Sequence, residues 1–157
     1  MLESPELGAL KEIDKQGKNP KKIIIPNHLE FDEVAEALRQ YNTNLNIELI
    51  NTSALQYIID HPEEHLNFLW LDYCGAFSYY VRDLETIFQR EIRDMKLILT
   101  YNLFDPKKQD DSYYFTNVIG YVLKKLCGKN EILLMEDVSQ RYKKTMFSVG
   151  FDIKKSV

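Results

Sequence analysis

The stretch that decides the fold is EILLMEDVSQRYKKTMFSVGFDI, residues 131–153. Apolar residues occupy every second position of its last third, and its first third alternates less strictly. Alternation with period two is typical of a half-buried β-strand. Because no helix-length segment separates the two parts, the pattern predicts an antiparallel hairpin of strands Glu131–Val138 and Thr145–Ile153, with a turn near Gln140–Lys144.

Upstream of this hairpin, short apolar runs alternate with amphipathic stretches. The runs indicate buried strands at Lys22–Ile25, Asn46–Ile50, Phe68–Leu71 and Met95–Thr100. The stretches carry apolar residues at helical spacing near Glu6–Lys15, Phe31–Leu38, Val81–Phe88 and Asn117–Leu126. Such alternation favours a parallel sheet. We therefore expect an α/β, Rossmann-like, mostly parallel sheet with helices on both faces and a C-terminal antiparallel hairpin. A flavodoxin-like or receiver-type domain fits the alternation but normally ends in a helix.

The length of 157 residues fits one domain over residues 1–157. The first predicted helix has no strand before it, although doubly wound sheets place their first strand centrally. We therefore expect part or all of the first strand to be missing: either Met1 and Leu2 are its stub, or the chain was cut just upstream.

Composition narrows the class of protein. The net charge of -4 predicts no strong non-specific attraction to nucleic acid. Cys74 and Cys127 have neither metal-ligand spacing nor a disulfide pattern. Because no signal peptide is evident either, we expect an intracellular protein, cytoplasmic or nuclear. No apolar run is long enough for a membrane. His61 and His65 are four residues apart but have no evident third ligand, so we expect no metal site.

Polar residues follow each predicted strand, at the edge where open α/β sheets bind ligands. They lie in Glu3-Ser4-Pro5, Pro26-Asn27-His28, Asn51-Thr52-Ser53-Ala54, Asp72-Tyr73-Cys74-Gly75 and Thr100-Tyr101-Asn102. A row of polar groups at one end of successive strands is what a nucleotide-like ligand requires. Each group also has a plain structural alternative: Asp72 as a helix cap, Gly75 as a turn residue and Tyr73 as a half-buried aromatic.

This series resembles the class I S-adenosylmethionine-dependent methyltransferases. The resemblance implies that S-adenosylmethionine is the cofactor, with Asn27 at its ribose and Ser53 and Ala54 at its adenine. It also implies that Asp72 and Tyr73 face the transferred methyl group. Further cofactor contacts are expected from the strand ends, at Glu3, Pro5, Asn51 and Asp72.

Within that class, the chain resembles the tRNA guanine dimethyltransferases. Their fourth strand ends Asp-Pro-Phe-Gly, which is similar to Asp72-Tyr73-Cys74-Gly75. Their Asn-Asp and Asp-Ala pairs correspond to Pro26-Asn27 and Ser53-Ala54. This chain lacks the ribose-binding acid, and residues 3–8 hold one glycine. Two hypotheses follow: a methyltransferase that acts on a nucleic-acid base, or a catalytically inactive methyltransferase-like module that binds a partner.

Overall fold

The computed structural model describes residues 6–72, 77–90, 94–102, 111–126, 130–141 and 146–155. The helices are α1 (Gly8–Lys15), α2 (Phe31–Gln40), α3 (Ala54–Asp60), α4 (Phe77–Phe88) and α5 (Asp111–Leu126). The strands are β1 (Ile23–Pro26), β2 (Ile47–Ile50), β3 (Phe68–Asp72), β4 (Met95–Asn102), β5 (Asn130–Arg141) and β6 (Met146–Lys155). They form two compact units, Met1–His61 and Pro62–Val157.

The first unit is built on the parallel pair β1 and β2. Their register runs from Ile23 opposite Ile47 to Pro26 opposite Ile50, so both strands end level with each other. The core of this unit consists of buried side chains from α1 and the N-cap residue before it, from β1 and from α2: Leu7, Leu10, Ile23, Ile25 and Val34. The apolar faces that helical spacing predicts for the first two helices therefore supply this core.

The second unit contains a four-stranded sheet in the order β3-β4-β6-β5. β3 runs parallel to β4, whereas β6 is antiparallel to both β4 and β5. The predicted hairpin is confirmed, with Ile132 opposite Ile153 and Met135 opposite Gly150. β6 follows β5 in the chain, yet it lies in the interior of the sheet, while β5 forms an edge.

The two faces of this sheet differ in burial. One face is almost fully buried and carries Leu69 and Leu71 of β3, Leu97, Leu99 and Tyr101 of β4, and Phe147, Val149, Phe151 and Ile153 of β6. The other face is only partly covered: Phe68 is 48% exposed, and Trp70 is half-buried. The helices α4 and α5 contact each other, with Tyr121 donating to the carbonyl of Val81 at 3.3 Å.

The predicted fold class is confirmed: the chain is α/β, with parallel strand pairs, intervening helices and a closing antiparallel hairpin. Two local expectations need correction. α3 was not predicted, because a seven-residue helix carries little periodicity. Thr100 and Tyr101 do not follow β4 but lie inside it, where they are 2% and 1% exposed. Among the described helices, none combines the length and apolar character that crossing a bilayer requires.

Candidate functional site

Asn27 lies at the carboxyl end of β1, where the sequence places a ribose contact. Its backbone N–H donates to the carbonyl of Ile50 at 3.0 Å, which extends the β1–β2 ladder by one residue. Its side-chain oxygen Oδ1 accepts the backbone N–H of Glu30 at 2.9 Å. The residue is 7% exposed. The Asn27 amide therefore fixes the loop that leads into α2, whatever else it binds.

The loop after β2 carries three more of the predicted cofactor residues, Asn51, Ser53 and Ala54. Ser53 is the N-cap of α3, and its Oγ accepts the backbone N–H of Gln56 at 3.0 Å. Ala54 begins α3 and is half-buried, whereas Asn51 is exposed. Because β1 and β2 end in register, the structure brings these residues to the same edge as Asn27.

Acidic side chains surround the start of α2 at this edge. The N-cap of α2 is Glu30, which makes no capping hydrogen bond through its side chain, and the first turn contains Asp32 and Glu33. All three are exposed. A helix N-terminus ordinarily attracts anions through its free N–H groups. Here the carboxylates already supply that negative charge, so this edge disfavours a phosphate and favours a cationic ligand.

In the second unit, Asp72 is the last residue of β3 and is half-buried. It lies opposite Thr100 of β4 in the parallel register. The Thr100 hydroxyl Oγ1 accepts a hydrogen bond from Nε1 of Trp70 at 3.0 Å. Since Trp70 and Asp72 are two residues apart on one strand, they project from the same face of the sheet. The strand end is therefore held by a partly buried side-chain hydrogen bond beside the carboxylate.

Three predicted site residues, Glu3, Pro5 and Tyr73, lie outside the described residues. Within the part of the chain that the structure describes, no three His, Cys, Asp or Glu side chains are grouped as metal ligands. His61 and His65 are exposed, and the His61 ring stacks on Tyr57 with centroids 4.1 Å apart.

Sequence reasoning missed Leu29 and the role of Thr100. Leu29 lies between Asn27 and Glu30 in the loop after β1 and is 84% exposed. No periodicity identifies a single apolar residue in a loop. The predicted strand Met95–Thr100 already includes Thr100, but its role as the acceptor for Trp70 was not foreseen. Its extension to Tyr101 could have been recognised, since tyrosine favours β-structure.

Comparison with known proteins finds likeness in structure only. No protein-family model matches the chain, and no curated protein matches its sequence. The plantazolicin methyltransferase BpumL, solved with a triazolic desmethylPZN analog and SAH, superposes with a TM-score of 0.61 at 11% identity, covering 99% of this chain and 75% of that one. The structure of a fibrillarin/Nop5p complex gives a TM-score of 0.59 at 12% identity, covering 99% and 70%. The chain therefore has a methyltransferase-like fold.

Proposed function

We propose that this protein is an S-adenosylmethionine-dependent methyltransferase. The observation that carries the proposal is the likeness, over 99% of the chain, to a methyltransferase solved with SAH. The polar strand ends described above agree with it. Since a fold hosts many functions, activity depends on the residues at those strand ends.

The first unit offers groups suited to the nucleoside of the cofactor. In this proposal Asn27 and Asn51 provide neutral amides for the ribose hydroxyls, and Ser53 and Ala54 lie along the adenine. The acidic start of α2 suits a ligand with a positive sulfonium centre better than a dinucleotide, whose phosphates it would repel. Glu3 and Pro5 complete the proposed cofactor contacts from the chain that precedes α1.

When bound, S-adenosylmethionine supplies an electrophilic methyl group. Asp72 accepts a hydrogen bond from the acceptor's N–H and thereby orients the nitrogen lone pair toward that methyl. Tyr73 stacks on a planar acceptor. Methyl transfer needs alignment and exclusion of water more than acid–base catalysis, so the proposed reaction requires no catalytic base beyond these residues.

The acceptor class we propose is a nitrogen of a nucleic-acid base. The support is the likeness of Asp72-Tyr73-Cys74-Gly75 to the fourth-strand motif of the tRNA guanine dimethyltransferases, together with the ring of Tyr73, on which any base can stack. The net charge of -4 is consistent with recognition of a flipped or single-stranded base rather than with non-specific binding to a backbone.

A second candidate is a methyltransferase-like module that binds a partner without catalysis. It is favoured by Asn27, which replaces the ribose-binding acid with a neutral amide already bonded to Glu30. A neutral amide makes weaker hydrogen bonds to hydroxyls than a carboxylate does.

Binding of the cofactor is tested by thermal unfolding with S-adenosylmethionine and, separately, with SAH. A ligand at 100 times its dissociation constant adds ~2.7 kcal/mol of stability. For a chain of this length that raises Tm by ~5 to 11 °C. If neither compound raises Tm at millimolar concentration, the methyltransferase proposal is contradicted and the non-catalytic binding module is favoured.

The role of Asp72 is tested with Asp72→Asn, which keeps the side-chain size but removes the charge. We expect methyl transfer to RNA or DNA oligonucleotides to fall by roughly tenfold, ~1.4 kcal/mol in the barrier, with cofactor affinity unchanged. Asp83→Asn is the matched control, because Asp83 is also half-buried but lies on α4. Full activity in Asp72→Asn removes this residue from the mechanism. Cofactor binding by the native chain without methyl transfer to any acceptor supports the non-catalytic module.

A further inference from the structure

β5 is an edge strand with exposed apolar side chains on both of its faces. Leu133 is 56% exposed and Leu134 is 39% exposed. They project to opposite faces because they are adjacent in one strand. Edge strands of natural proteins are usually short or charged, which prevents them from pairing with another chain. The regular part of this edge, Asn130–Met135, carries one charged residue, Glu131.

This segment is complementary to itself in one antiparallel register. If Leu133 lies opposite its own copy on a two-fold axis, Ile132 lies opposite Leu134 and Glu131 lies opposite Met135. Directly opposed residues then share a face, as the pleat requires. On one face the two Leu133 side chains cover each other, and on the other face each Leu134 covers Ile132 of the second copy. The two Glu131 carboxylates oppose methionine side chains rather than each other, so no like charges meet.

We propose that Asn130–Met135 pairs with the same segment of a second copy, joining two four-stranded sheets edge to edge. The bulge between Met135 and Gln140 limits the contact to this segment, because a bulge breaks the ladder. The paired segment covers less surface than the roughly 800 Å² per partner of a standard interface. We therefore expect a weak dimer whose population changes with protein concentration over the measured range.

Disulfide trapping tests the register in the full chain, with Cys74 and Cys127 replaced by serine. In Leu133→Cys the two sulfurs lie on the axis, and opposed Cα atoms at ~4.5 to 5.5 Å are within disulfide range. In Leu134→Cys the two cysteines are not opposite each other but are offset by two residues, ~6.8 Å along the strands. This offset places their Cα atoms beyond disulfide range. Covalent dimer from Leu133→Cys but not from Leu134→Cys supports the proposal. Dimer from both, or from neither, overturns it.

Sedimentation velocity over a concentration series tests the association without cysteines. Leu133→Lys places two ammonium groups on the axis, and we expect it to raise the dimer dissociation constant by ~10-fold or more. Phe68→Lys is the matched control, because Phe68 is 48% exposed on β3, the opposite edge of the same sheet. Circular dichroism establishes that both variants fold. A monomer at every concentration, or equal loss of dimer in both variants, overturns the proposal.

Discussion

Replacing Thr100 with valine tests the hydrogen bond that supports the end of β3. Valine has nearly the shape of threonine but lacks the Oγ1 that accepts the Trp70 indole N–H at 3.0 Å. A hydrogen bond contributes ~1 kcal/mol net, and an unpaired buried donor costs about 1–3 kcal/mol. Because Trp70 is half-buried, water relieves part of that cost. We expect the free energy of unfolding to fall by ~1.5 kcal/mol and Tm to fall by ~3 to 6 °C.

The assay uses the single tryptophan of the chain, so fluorescence during urea unfolding reports on the altered side chain. Circular dichroism gives the free energy independently. Thr100→Ser is the control: it keeps the acceptor oxygen and loses one methyl group, ~0.8 kcal/mol, with Trp70 emission unchanged.

A double-mutant cycle decides the cause of the loss. In a Trp70→Phe background no indole N–H remains, so Thr100→Val should cost ~1 kcal/mol less than it does in the native chain. An equal cost in both backgrounds would falsify the reasoning, because the hydroxyl would then act through a partner other than Trp70.

Three further expectations concern side chains with defined partners. Ser53→Ala removes the cap of α3 and should lower stability in urea unfolding by ~1 kcal/mol; unchanged stability would show that the cap is redundant. The hydrogen bond to Asp14 raises the pKa of Tyr41 to about 12. The stability that this hydrogen bond provides is therefore present at neutral pH and lost as pH rises from ~10 through 12. Asp14→Asn should return the pKa of the phenol toward its ordinary value in an ultraviolet titration. Arg90 donates to two carbonyls of residues 62–64, at 2.7 and 2.9 Å, and Arg90→Met should speed amide hydrogen exchange there, whereas unaltered exchange would assign the order of this segment to other contacts.

The fold could be predicted from the sequence because its patterns are strong. The alternation of Phe147, Val149, Phe151 and Ile153 reflects one buried face, and period two permits no other assignment. α3 escaped prediction because it is short. The motif at its start is nevertheless informative: Ser53 followed three residues later by Gln56 is a capping box in sequence, and the Ser53 half of it forms.

The candidate site could be predicted only as a set of positions. Strand ends follow from apolar runs, and Asn27 and Asp72 are where the runs place them. The partner of each side chain depends on neighbours far away in sequence. Nothing local to Asn27 indicates that its oxygen binds the N–H of Glu30, and nothing near Trp70 indicates that Thr100, thirty residues later, accepts its indole N–H.

The interior position of β6 has a consequence for synthesis of the protein. β4 ends at Asn102 and the strand that completes its ladder begins at Met146. Roughly 40 residues are translated in between, which takes ~2 to 9 s at typical ribosomal rates. During that interval the free edge of β4 and its apolar side chains have no cross-strand neighbour from β6, a state that chaperones recognise. Substitutions that weaken β6 should therefore lower the yield of folded protein in cells by more than their effect on the unfolding free energy of the finished molecule predicts.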